Sequence, residues 1–190
     1  LYDEMQSLED KYGEILVKKD GKCGVINVKG IILVGIKYDY VKGDGYSKDG
    51  SYKDSGYVIG NKSSSGMVYG YIDKNENEII KMEQETIYRV TEIESNDVYI
   101  VASLNGRYAV YKNKDNLTDY KYINVYYNNE AKTFTVQKNK FYGVVNLEGK
   151  IVVPEQYDEL MVVGAFIKAS KDGENYTFDL SGSRIEHPKF

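Results

Sequence analysis

The chain has 190 residues, enough for a domain with a substantial core, and it carries a formal net charge of −4 with 42% hydrophobic residues. That charge, without a clustered basic face, excludes the electrostatic footprint of a nucleic-acid binder. A single cysteine excludes an intrachain disulfide, and no apolar run is long enough to span a membrane.

In chain order the first recognisable segment is Tyr2-Asp3-Glu4-Met5, of the form Tyr-Asp-x-Leu. A first repeat unit follows over residues 12–41: an Asp20-Gly21 hairpin dipeptide, Lys22-Cys23-Gly24, a Val25-Ile26 pair, an Asn27 to Gly30 turn, and Tyr38-Asp39. Asn, Asp and Gly tolerate the positive φ that tight hairpins need, and Asn or Asp first with Gly fourth is the signature of a type I turn. Residues 42–65 fall outside the pattern; they are rich in Gly, Ser, Lys and Asp and carry Tyr46, Tyr52 and Tyr57. A second unit covers 57–87 with Tyr69-Gly70 and Asp73. The third, 98–123, has Asn105-Gly106 and replaces the motif glycine by Ala109. The fourth, 133–160, is the clearest: Phe141-Tyr142-Gly143-Val144-Val145-Asn146, Gly149, then Tyr157-Asp158-Glu159-Leu160. The fifth, 165–190, contains Asp172-Gly173 and Asp179 to Gly182 and is expected to be completed by residues 1–5.

Aligned on Cys23, Tyr69, Tyr108, Tyr142 and Asn175, the copies form an array of one supersecondary unit per repeat. Between the turns, Val, Ile, Tyr and Thr alternate with polar residues, the period of a half-buried strand. A glycine after the motif aromatic removes a side chain where another backbone approaches closely. The expected fold is all-β: a single domain, residues 1–190, of about five short antiparallel β-meanders. A propeller-like closed array is favoured, because joining the ends would remove exposed sheet edges, with an open β-solenoid as the alternative.

The units resemble WG repeats, bacterial β-repeats named for a Trp-Gly pair and written as Gly-Lys-Trp-Gly with a downstream Tyr-Asp. Gly21-Lys22-Cys23-Gly24, Lys140-Phe141-Tyr142-Gly143, Tyr38-Asp39 and Tyr157-Asp158 sit on that pattern, which covers nearly the whole chain. The chain departs from it in having no Trp. The resemblance implies an interaction scaffold at the cell envelope or in a secreted protein, with no shared chemistry. Any signal or anchor is then expected outside this sequence.

Few residues offer chemistry. One histidine, His187, gives no Ser-His-Asp, Cys-His or His-based metal centre. Cys23 holds the aromatic place of its unit and is expected to be a small core residue. Asp158 with Glu155 forms a formal carboxylate pair, but Asp158 is in register with Asp39 and Asp3, so a turn-capping role is expected. Asp73-Lys74-Asn75-Glu76-Asn77 fails as a calcium loop because Glu78 and Gln84 hold the places that need Gly and an acid. Gly43-Asp44-Gly45 has no helix after it and is no phosphate loop.

The expectation is therefore a non-enzymatic scaffold with no cofactor and no metal, binding a protein or a cell-wall or host glycan. Tyr46, Tyr52 and Tyr57 are its candidate ligand-binding residues, since insertions in repeat proteins often map to the binding face. The alternatives are a purely structural spacer and, less favoured, a hydrolase using a carboxylate pair.

Overall fold

The computed structural model describes residues 1–8, 13–43, 56–91 and 97–186, and all regular structure among them is β. The described residues form five small sheets. The first contains β1 (Glu4–Ser7), β2 (Glu14–Lys19), β3 (Lys22–Asn27) and β4 (Ile32–Tyr38). The second contains β5 (Tyr40–Gly43), β6 (Tyr57–Ser63), β7 (Gly66–Ile72) and β8 (Glu78–Gln84). The third contains β9 (Thr86–Thr91), β10 (Val98–Leu104), β11 (Arg107–Lys112) and β12 (Asp115–Asn116). The fourth contains β13 (Asn124–Asn128), β14 (Thr133–Lys138), β15 (Phe141–Asn146) and β16 (Ile151–Tyr157), and the fifth β17 (Glu159–Val163), β18 (Phe166–Lys171) and β19 (Glu174–Asp179). Strands within each sheet lie in chain order, so every pairing joins sequence neighbours. The chain divides into two compact units, 1–104 and 105–190.

The turns form as their residues dictate. Both residues of Asp20-Gly21, Asn105-Gly106 and Asp172-Gly173 have positive φ, the conformation of a type I′ hairpin. Asn27, Asp73, Asn146 and Asp179 each accept, through the backbone carbonyl, the N–H three residues on. Each side-chain oxygen also accepts the N–H two and four residues on. Residues 73–77 are thus a turn of the repeat, as expected. The fourth place of this turn is a positive-φ glycine in Gly30, Gly149 and Gly182, but Glu76 holds it in the second sheet at φ 59°. Its carboxylate accepts the Gly35 N–H at 3.1 Å and pairs with Lys37 at 3.2 Å, tying this turn to β4.

The motif glycine has the steric role expected of it. A Cβ on Gly143 would lie 2.7 Å from the Val153 carbonyl oxygen and 2.9 Å from the Glu155 nitrogen, and one on Gly24 2.6 Å from the Val34 oxygen. At these points the register of the third and fourth strands shifts, with breaks between Cys23 and Val25 and between Tyr142 and Val144. The fourth strand of these sheets folds over the bare glycine. Where the fourth strand is reduced to Asp115–Asn116, the glycine has become Ala109.

One expectation is corrected. Residues 1–5 do not complete the last sheet: Glu4–Ser7 pair with Lys18–Ile15 as the first strand of the first sheet, and the last sheet opens with its own β17. The Tyr-Asp-x-Leu segment spans the step between sheets: Tyr38 and Tyr157 end a fourth strand, Asp39 and Asp158 are the junction, and Val41 and Leu160 lie in the next sheet's first strand. The reason is a backbone bond. At three of the four junctions one residue separates a fourth strand from the next first strand, and at every junction the residue before the first strand donates its N–H to that sheet's second strand. The bonds are Asp39 to Gly60 (2.9 Å), Glu85 to Ser103 (2.8 Å) and Asp158 to Ser170 (2.9 Å); Ile123 to Gln137 (2.8 Å) and Asp3 to Lys18 (2.8 Å) hold the same place.

Apolar residues from consecutive sheets meet across these junctions. Val25, Val34 and Tyr38 of the first sheet cluster with Val41, Tyr57, Ile59 and Ile72 of the second. Val144, Val153 and Tyr157 of the fourth cluster with Ile167, Ala169 and Phe178 of the fifth. Tyr157 stands edge-on to Phe178, with ring centroids 5.6 Å apart.

Gly143→Ala should cost about 1–3 kcal/mol of stability, since the added methyl has only backbone to displace. Chemical denaturation of this variant beside Gly21→Ala, which has open space around its Cβ, separates crowding from the positive-φ cost that Gly21 alone carries.

Candidate functional site

Of the three tyrosines expected to form a binding loop, Tyr46 and Tyr52 lie outside the described residues. Tyr57 is the first residue of β6, is 1% exposed, and belongs to the core between the first two sheets. Its hydroxyl donates to Glu14 Oε2 at 2.8 Å. Burial, then this carboxylate, pushes the phenol pKa well up. Register explains the placement: counted back from the residue that accepts the junction bond, Tyr57 holds the place that Ile167 holds in the last sheet. Tyr57 is therefore a core residue rather than part of a displayed loop.

The repeat carboxylates cap turns, as expected. Asp158 Oδ2 accepts the Asp172 N–H at 3.0 Å, Asp3 Oδ2 the Asp20 N–H at 2.7 Å, and Asp39 Oδ2 the Lys62 N–H at 2.8 Å. Each ties a junction to the next sheet's second hairpin. Asp39 also pairs with Lys22 Nζ at 2.8 Å. That ammonium, followed by the Lys62 N–H, holds the Asp39 carboxyl below its usual range. Cys23 is half-buried against the same core, and burial pushes its thiol pKa up. Among the described residues, no group of three or more His, Cys, Asp and Glu could hold a metal ion.

The surface that stands out is one side of the last sheet. Its β17 and β18 pair Glu159 with Ser170, Met161 with Lys168, and Val163 with Phe166. Residues of one strand two apart share a face, so Met161, Val163 and Phe166 form an apolar cluster, 64%, 45% and 48% exposed. Beside it Glu159, Met161, Lys168, Ser170 and Asn175 line a shallow open groove of about 340 Å³. Sequence reading passes over this surface because β17 alternates as an ordinary half-buried strand.

The repeat register shows what is unusual here. Phe166 lies four residues before Ser170, which accepts the junction bond; Tyr99 and Thr133 hold the same place before Ser103 and Gln137. Tyr99 is 0% and Thr133 3% exposed, against 48% for Phe166. Two residues on, Val101 and Thr135 are buried and Lys168 is exposed.

No protein-family model and no curated protein matches the chain. Among solved structures, a eukaryotic initiation factor is similar over 100% of this chain and 55% of its own, with 10% identity and a TM-score of 0.48. The WD40 domain of SCAP from fission yeast is similar over 87% of this chain and 52% of its own, with 10% identity and a TM-score of 0.39. The fission yeast complex of SREBP and SCAP binding domains gives 12% identity and a TM-score of 0.28, covering 94% of this chain and 61% of that one. The chain therefore spans between half and two thirds of the solved chains it resembles, and similarity this distant carries no argument about its function.

Two outcomes test these placements. Tyr57→Ala should lower stability by about 3–5 kcal/mol and Tyr57→Phe by about 1 kcal/mol, read from denaturant midpoints. For Asp39 the folded pKa lies below the unfolded one, so its contribution is present above the unfolded pKa and disappears as pH falls through the folded value. Melting temperatures of wild type and Asp39→Asn should therefore differ at neutral pH and converge on acidification below about pH 4.

Proposed function

We propose that this chain is a non-catalytic β-repeat scaffold, a divergent array of the WG type, that binds a protein through the exposed face of β17 and β18. The observation that carries this reading is the contiguous apolar cluster of Met161, Val163 and Phe166, 64%, 45% and 48% exposed, beside a groove edged by Glu159, Lys168, Ser170 and Asn175. Soluble proteins seldom leave a contiguous apolar patch open without an interaction to serve. Met and Phe at the centre with charged and amide groups around them is the composition of a protein interface. A protein is favoured over a glycan because Met161 and Val163, beside the single ring of Phe166, give the patch an aliphatic character that suits apolar side chains of a partner better than a sugar.

The absence of chemistry in this proposal follows from the work the repeat carboxylates already do. Asp3, Asp39 and Asp158 accept backbone N–H groups, and Asp73 and Asp179 hold turns. The resemblance to WG repeats extends the proposal to a cell-envelope or secreted setting.

A photo-crosslinking amino acid at position 166, and a control at the exposed turn residue Lys29, test the reading in the source cell. Irradiation should give a discrete protein adduct from position 166 that is missing from position 29. Equal or no adducts at the two positions would defeat it.

A further inference from the structure

One cation sits among the apolar residues of the β17–β18 face, and it restricts what can cover them. Cross-strand register lays this face out in rows: Glu159, Ser170 and Asn175; Met161, Lys168 and Thr177; Val163, Phe166 and Asp179. Lys168 holds the centre. It stands opposite Met161 and two residues along β18 from Phe166, so a protein seated on the apolar cluster covers its side chain as well. β18 is also the middle strand of its sheet, with β17 on one side and β19 on the other.

We propose, resting on the binding-surface reading above, that the partner meets this face with an acidic–apolar segment. Its apolar side chains lie on Met161, Val163 and Phe166, and one Asp or Glu between them pairs with Lys168.

The argument is one of charge. An ammonium taken out of water without a counter-charge carries a desolvation cost that the surrounding apolar contact must then offset. Among the described residues no ion pair engages Lys168. Asp179 is committed to its own turn: Oδ1 accepts the Ser181 N–H at 2.8 Å, the Ser181 hydroxyl at 2.6 Å and the Ser183 N–H at 3.0 Å. Glu159 lies one row away, opposite Ser170, at the polar edge of the groove. The counter-charge is therefore left to the partner. Glu159 and Asp179 occupy opposite corners of the face, so an acidic group is repelled at either corner and favoured at the centre. Apolar residues on either side of that acid reach Met161 and Val163 on β17 and Phe166 on β18.

Selection of phage-displayed random peptides on the intact, immobilised chain tests this, with Phe166→Ser and Lys168→Glu chains as parallel targets. Peptides from the wild type should carry Asp or Glu among apolar residues and should be lost on Phe166→Ser. On Lys168→Glu they should give way to peptides carrying Lys or Arg. A synthetic copy of a selected peptide should bind Lys168→Gln about tenfold or more weakly than wild type, and Lys168→Arg nearly as well. Far-UV circular dichroism checks that the variants are folded, and Phe166→Ala replaces Phe166→Ser if it is not. Phe166-dependent peptides that lack an acidic residue, or the same peptides from wild type and Lys168→Glu, overturn the proposal and leave the binding surface standing. Failure to select any Phe166-dependent peptide also overturns it, and the adduct at position 166 then decides the surface reading by itself.

Discussion

A single backbone N–H at each junction fixes the rest of this structure. At three of the four junctions a single residue lies between a fourth strand and the next first strand, so the chain there has no length with which to wander. Donation from Asp39, Glu85 or Asp158 into the following second strand sets where that sheet begins. It also sets which side chains meet across the step. Tyr38 and Tyr157, the last residues of their strands, come to lie at the interface between two sheets, 7% and 5% exposed. Because side chains alternate along a strand, a slip of one residue at the junction would turn every apolar residue of the next sheet to the wrong face. The junction carboxylates of Asp3, Asp39 and Asp158 make such a slip costly by engaging a second N–H in the following hairpin.

Much of this was legible in the sequence. The hairpin dipeptides, the turns at Asn27, Asn146 and Asp179, the crowding at Gly24 and Gly143 and the capping by Asp158 are local consequences of residue chemistry. The phase of the repeat was not legible. A periodic sequence reads equally well whether the residues after Tyr-Asp close one unit or open the next, and only a hydrogen bond from the Asp to a strand 12 to 21 residues away decides it. Tyr57 was misread for a related reason. It lies next to a Gly- and Ser-rich stretch, and its membership of β6 is visible only when residues are counted back from Gly60. The exposure of Met161, Val163 and Phe166 was invisible because alternation along β17 does not say which of its two faces is covered.

The same bookkeeping separates scaffold from function. Asp3, Asp39, Asp73, Asp158 and Asp179 hold turns and junctions, and one sheet differs from another in the side chains at equivalent register places. Thr133 becomes Phe166 and Thr135 becomes Lys168, each without a change in backbone pairing. A repeat of this kind can alter its surface chemistry while its hydrogen bonds stay in place, which is how a single scaffold comes to carry unrelated recognition properties.

The order of strands within the sheets has a kinetic meaning as well. Each pairing is made between consecutive strands, so contacts form over short stretches of chain and loop-closure costs stay small. A sheet needs nothing that has yet to be synthesised once its own strands have left the ribosome. The array can therefore be acquired from the N-terminus onward, each finished sheet offering the next a hydrogen-bonding partner and an apolar wall.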